Sequence, residues 1–213
     1  MSGLPKLWSR ESVELAICYG LIQLVMWTSR PTQRALFWVA FAWILATTVA
    51  RRPNLETLGL RIPFPRSSLW IVAGGGFLAI VVTAIALALH TLHPLQGAGP
   101  LALHMAGYLL WAFEQQFILQ DYFLFRLLRI LPNEYSAVVG AALLFSTAHI
   151  PNPVLMAVTL VFGLASCALF LRYRNLYALG LVHGILGLCV AISVPDAVTH
   201  HMTVGLGYLH YHH

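Results

Sequence analysis

From Ser12 onward the chain alternates apolar runs of roughly 16 to 25 residues, the length a helix needs to cross hydrocarbon, with short clusters of charge, proline and glycine. The alternating ten-residue strands of a membrane β-barrel do not occur. The pattern predicts helices over Ser12–Thr28, Gln33–Ala50 and Ser68–His90, and a fourth from just after Gly97-Ala98-Gly99-Pro100 to Leu131. Three more follow over Tyr135–Ile150, Val154–Leu171 and Leu176–Val194. The breaks are chemical. Pro53, Pro63, Pro65 and Gly59 make the linker 51–67 irregular; Pro132, the pair Pro151 and Pro153, and Pro195 each stop a helix, because proline lacks the N–H and pushes its predecessor out of the helical region. The expected fold is all-α, a polytopic integral membrane helical bundle of about seven transmembrane helices. It divides into an N-terminal pair of helices with an interfacial linker (1–67), a core bundle (68–194) and a His-rich tail (195–213) carrying His200, His201, His210, His212 and His213.

Composition agrees with the pattern. Of 213 residues, 59% are apolar and only 9% charged, too few charges for an ordinary soluble domain. The first apolar run is too long for a cleavable signal peptide and lacks a small-residue cleavage pattern at its end. Cys18, Cys167 and Cys189 sit inside apolar runs and are odd in number, so buried thiols are expected rather than a disulfide framework.

The net charge of +5 points to membrane orientation rather than to nucleic acid. With seven crossings, Lys6, Arg10, Arg51, Arg52, Arg61, Arg66, Arg126, Arg129, Arg172 and Arg174 fall on one side, and only Arg30 and Arg34 on the other. That asymmetry predicts a cytoplasmic N-terminus and an outside C-terminus, in what is expected to be the plasma (inner) membrane of a prokaryote.

Within the fourth run stand Glu114, Gln115, Gln116, Gln120 and Asp121. An ionisable group inside a crossing segment is costly and by default marks a functional site. His149 and His183 lie in two other predicted helices. Counted at about 1.5 Å per residue from Arg126, Glu134 and Arg174, Glu114 lies about 18 Å deep, His149 about 22 Å and His183 about 14 Å, one common layer once tilt is allowed. A carboxylate and two imidazoles in a dry layer supply a general base, a group that stabilises negative charge and a means of activating water. Asp121 falls two α-helical turns from Glu114 on the same face and is a candidate neighbour for it.

These residues carry a resemblance. Gln115-Gln116-Phe117-Ile118-Leu119-Gln120 resembles the first motif, EExxxR, of the CAAX prenyl endopeptidase and bacteriocin-processing family (CPBP, also called Abi). Phe145-Ser146-Thr147-Ala148-His149 matches its FxxxH motif and is followed by Ile150-Pro151-Asn152-Pro153; His183 matches the start of its HxxxN motif; Leu58-Gly59-Leu60-Arg61 resembles its pre-core linker. Membership implies an all-helical intramembrane peptidase in which a glutamate and histidines activate water, with no serine or cysteine nucleophile.

The chain departs from that pattern in two places. With Gln115 and Gln116 at the paired glutamates, Gln120 stands in place of the arginine; with Glu114 as the first glutamate, Gln115 replaces the second and Leu119 the arginine. The third motif ends in Gly187 where asparagine is usual. Only Glu114 keeps a proton-accepting carboxylate, since an amide does not titrate near neutral pH. The expected catalytic residues are therefore Glu114, His149 and His183, with Gln115, Gln116, Gln120 and Asn152 positioning substrate or water. The expected substrate is a membrane-anchored or transmembrane protein or peptide, met within the bilayer.

Plainer readings stand beside these. The amides also serve as glue between membrane helices, His149 as a cap for free carbonyls at a helix end, and Gly74-Gly75-Gly76 as a close-packing stripe rather than a phosphate loop. No cofactor is required, although two imidazoles and one carboxylate also form a ligand set for zinc at Glu114, His149 and His183. A catalytically degenerate relative, binding peptides as a membrane scaffold or regulator, is the non-enzymatic alternative.

Overall fold

The computed structural model describes residues 9–61, 65–94 and 100–210. Lys6, Pro63, the glycines of 97–99, His212 and His213 lie outside the described residues. Among the described residues the regular structure is helical, with no strand. The long elements are α1 (Arg10–Met26), α2 (Arg30–Val49), α3 (Leu69–Ala88), α4 (Leu101–Phe117), α5 (Phe125–Ile130), α6 (Glu134–Thr147), α7 (Pro153–Tyr173) and α8 (Leu176–Ser193). Two short helices follow, α9 (Asp196–Thr199) and α10 (Gly205–Leu209).

Helix starts follow from local chemistry. Ser9, Asn133 and Asn175 each place a side-chain oxygen on an otherwise orphaned N–H, of Ser12, Ser136 and Ala178 respectively, and Pro31 opens α2 where its missing N–H costs nothing. Two expectations are corrected. The fourth run is not one α-helix to Leu131, because Ile118–Leu124 winds as a π-helix between α4 and α5. The α-helical spacing that put Asp121 on the face of Glu114, and the uniform rise used for depth, therefore do not continue beyond Phe117. And α6 ends at Thr147, so His149 lies in the turn before Pro151 rather than inside the helix.

By length and composition, three helices among the described residues can cross a membrane: Arg66–Ala88, which adds a single 3₁₀ turn to the start of α3, Pro153–Tyr173 and Leu176–Ser193. The others are shorter, interrupted or carry charge near their starts, as α1 does at Arg10, Glu11 and Glu14. α3 turns Phe77 and Ile80 outward at 69% and 68% exposure, which suits acyl chains and not water. The protein is an integral membrane helical bundle.

The chain forms two compact units. The first comprises Met1–Asn54, Ile118–Leu169 and Thr203–His213; the second comprises Leu55–Phe117 and Phe170–Met202. In the first, α1 pairs with α2, and the π segment and α5 pack against α1, α2 and α6. Arg126, expected where its helix leaves the hydrocarbon, is fully buried here and paired with Glu14 at 3.0 Å. At the start of α1 a backbone hydrogen bond above all, and then Arg51 against the opposing effect of burial, pulls the Glu11 carboxyl down to about 2.

In the second unit α8 packs against both α3 and α4. Gly75 makes room for Val182, whose Cγ1 a side chain there would meet at 2.7 Å. The linker docks on the start of α8: Gly59, at φ +65°, accepts from the Leu176 amide at 3.0 Å, and a Cβ on it would meet the Arg174 carbonyl at 2.9 Å. Both the backbone angle and the close approach require glycine there.

Candidate active site

In the second unit the end of α4 carries Glu114, Gln115 and Gln116. Gln116 is fully buried, and its amide Nε2 donates to His183 Nδ1 on α8 at 3.2 Å. An accepting Nδ1 places the proton of a neutral imidazole on Nε2, so the ring is oriented as a hydrogen-bond donor. Glu114 is half-buried and makes no hydrogen bond or ion pair with any described residue. Gln115 keeps a buried Oε1 with no partner among them. A carboxylate and an amide oxygen left unengaged in an apolar helix are costly unless something else occupies them.

Gly187 stands one helical turn beyond His183 on α8, where the family motif has asparagine. The position is sterically closed. A Cβ built there would lie 2.8 Å from Tyr108 Cζ and nearer still to its hydroxyl, so the phenol of α4 fills the space of the missing side chain. Nothing local foretells this contact, because Tyr108 precedes the motif region and reads as one aromatic among many in an apolar run. Restoring the motif by Gly187→Asn should overpack α4 against α8 and lower stability by ~1–3 kcal/mol, and adding Tyr108→Ala should recover most of the loss. Thermal unfolding in detergent reads this; an unchanged midpoint in the single variant would contradict the contact.

In the first unit His149 is half-buried, and its Nδ1–H donates to the Phe145 carbonyl at 2.8 Å while the Phe145 ring meets it edge-on at 5.1 Å. This is the spacing of FxxxH made physical: the fourth residue back orients the imidazole twice. With the proton on Nδ1, Nε2 presents a lone pair. Gln120 is buried in the π segment, with Nε2 donating to Ser166 Oγ on α7 at 3.2 Å. Asn152, expected among the positioning groups, is fully buried and engaged in the fold. Its Oδ1 caps α7 through the Leu155 amide at 3.1 Å, and its Nδ2 donates to the Thr203 carbonyl at 3.1 Å.

Among the described residues, no three His, Cys, Asp or Glu side chains gather closely enough to hold a metal ion.

The group sequence reasoning missed in this unit is the one around Glu14. Its carboxylate receives Arg10 Nε at 2.8 Å, Arg51 Nη2 at 2.9 Å and Arg126 Nη2 at 3.0 Å. Glu14 reads as a lone charge near the start of an apolar run, and nothing local announces a partner 112 residues away.

No curated protein and no solved structure matches the chain. One family model does, described as Type II CAAX prenyl endopeptidase Rce1-like, over residues 116–189. The matched stretch holds Gln116, Gln120, both histidine motifs and Asn152, and begins just after Glu114 and Gln115. Over residues 116–189, then, the chain matches the Rce1-like type II CAAX prenyl endopeptidases, a protease family of the CPBP group, as its motifs lead one to expect.

Proposed function

We propose that this protein is an intramembrane endopeptidase that hydrolyses a peptide bond of a membrane-anchored protein or peptide, with Glu114 as general base. The observation that carries the reading is the state of α4. Glu114 has no partner among the described residues, while Gln116, two residues on, fixes the ring of His183. A carboxylate that no fold contact engages, on the same helix whose Gln116 orients the His183 ring, is available for proton transfer rather than tied up in a structural role.

In the proposed reaction Glu114 takes a proton from water as its oxygen attacks the scissile carbonyl carbon. His183 Nε2–H donates to the oxyanion that forms. The C–N bond then breaks as Glu114 returns the proton to the departing amine, leaving a new amine and a new carboxylic acid that releases its remaining proton to solvent. His149, which presents the lone pair of Nε2, is the further residue proposed to activate water. Gln115 offers its amide group to hold the substrate backbone. An N-terminus in the cytoplasm of a prokaryote remains part of this proposal, supported by the arginine distribution.

The test is cleavage of membrane-anchored peptide tails by the purified chain in liposomes, with products weighed by mass spectrometry. Cleavage at one bond, undiminished by prior washing with a strong zinc chelator, is the expected result. Loss of cleavage on chelation, restored by added zinc, would replace it with the metal-dependent version. Tails that bind and stay intact would replace it with a peptide-binding scaffold.

A further inference from the structure

The π-helical segment Ile118–Leu124 needs something to hold it, since π winding is rare, and short stretches of it are frequently found at functional sites. Its backbone bonds run from i to i+5 in place of the usual i+4. The side chain of Arg126 adds a bond to this backbone, with Nη1 donating to the Tyr122 carbonyl at 3.3 Å. The same guanidinium lies 3.3 Å over the centre of the Tyr122 ring. The Tyr122 hydroxyl is fixed in turn: it receives Trp43 Nε1 at 2.9 Å and Thr47 Oγ1 at 3.2 Å from α2, and donates to the Glu14 carbonyl of α1 at 3.2 Å. Glu14 closes the circuit by accepting Arg126 Nε at 3.1 Å.

All three side chains are almost wholly buried: Arg126 and Tyr122 at 0% exposure and Glu14 at 5%. A buried ion pair is a poor source of net stability, because packed apolar residues of similar volume commonly do as well or better. Its distinguishing property is direction. Charge and hydrogen bonds fix one rotation of one helix, which greasy packing does not.

We infer that Glu14, Arg126 and Tyr122 are positioning residues that hold Ile118–Leu124, which lies within the family-matching stretch, in the π register that the peptidase activity needs. This rests on the peptidase reading for its effect on rate. It also gives α1 and α2, which lie outside the family-matching residues 116–189, a part in the activity. Gln120 sits at the centre of the consequence. It is two residues before Tyr122 and is held to Ser166 on the far side, so relaxing the segment to an α-helix would rotate it off that contact.

The experiment uses the full chain in detergent and liposomes, comparing wild type with Glu14→Gln, with the double variant Glu14→Met/Arg126→Met, and with Arg61→Gln as a control in an exposed ion pair. Amide hydrogen exchange is followed over 118–124 and over α8, alongside cleavage kinetics. The double variant removes the Glu14 and Arg126 charges together and leaves Arg51 its second carboxylate, Glu11 at 3.1 Å. It should exchange ~10-fold faster or more over 118–124 with α8 unchanged. Its kcat should fall ~10-fold or more with KM within about twofold, Glu14→Gln moving the same way by less. Unchanged protection over 118–124 in the double variant overturns the inference. So does loss of protection everywhere in both variants, which would make the pair an element of stability alone. If the wild-type chain cuts none of the tails, the peptidase reading falls, and the exchange over 118–124 still decides whether the clamp exists.

Discussion

Replacing Glu114 by glutamine should lower kcat/KM by about 10²–10⁴ with the fold intact, the usual contribution of a positioned general base. The substitution suits the question because glutamine keeps the shape of the side chain and loses only its proton affinity. Glu114 makes no hydrogen bond or ion pair with a described residue, so no structural contact goes with it. The expected loss converts to ~2.7–5.5 kcal/mol of transition-state stabilisation at 1.36 kcal/mol per decade. His183→Ala is a less clean probe, since it strands the buried Gln116 amide that now donates to the ring and lowers stability as well as rate. Matching unfolding midpoints with full activity in Glu114→Gln would refute the general-base role.

The second large effect is on stability. Glu14→Ala should cost ~3–5 kcal/mol, because it leaves the Arg126 guanidinium buried and without its counter-charge. Removing both members should be far milder, as the penalty lies in the stranded ion and not in the missing attraction. Arg61 and Glu56 set the scale from the other side. They form an ion pair at 3.0 Å with both side chains 67% exposed, and Arg61→Gln should change stability by ~1 kcal/mol or less. Reversible unfolding in mixed micelles measures all of these. A Glu14→Ala protein as stable as Arg61→Gln would show that Arg126 finds water or another partner.

What could be read from the chain follows from which signals are local. Helix positions came through to within a few residues because apolar length, caps and prolines act over one or two turns, as at Asn133, Asn175 and Pro153. The four-residue spacing of Phe145 and His149 was legible because such a spacing brings the two together over one helical turn, and the structure has His149 bonded to the Phe145 carbonyl in the turn that ends α6.

The π segment was not legible. Ile118–Leu124 has the composition of any apolar helix, and what holds it is Glu14, Trp43 and Thr47, remote in sequence. For the same reason Arg126 looked like a boundary charge, since a lone arginine near a helix end reads as interfacial until its partner is known. Gly187 looked like the loss of a functional asparagine and is also the space for a tyrosine from another helix. In each case a tertiary contact overrode a local inference, and in each the contact is polar or steric rather than a matter of hydrophobic pattern.

Whether water is the direct nucleophile and Glu114 its base is decided by a single turnover of wild-type protein on a membrane-anchored tail in ¹⁸O-labelled water. One labelled oxygen should appear in the new C-terminal carboxylate of the product and none in the protein fragment that carries Glu114. Label in the Glu114 fragment, or a cut product without label, would contradict that mechanism.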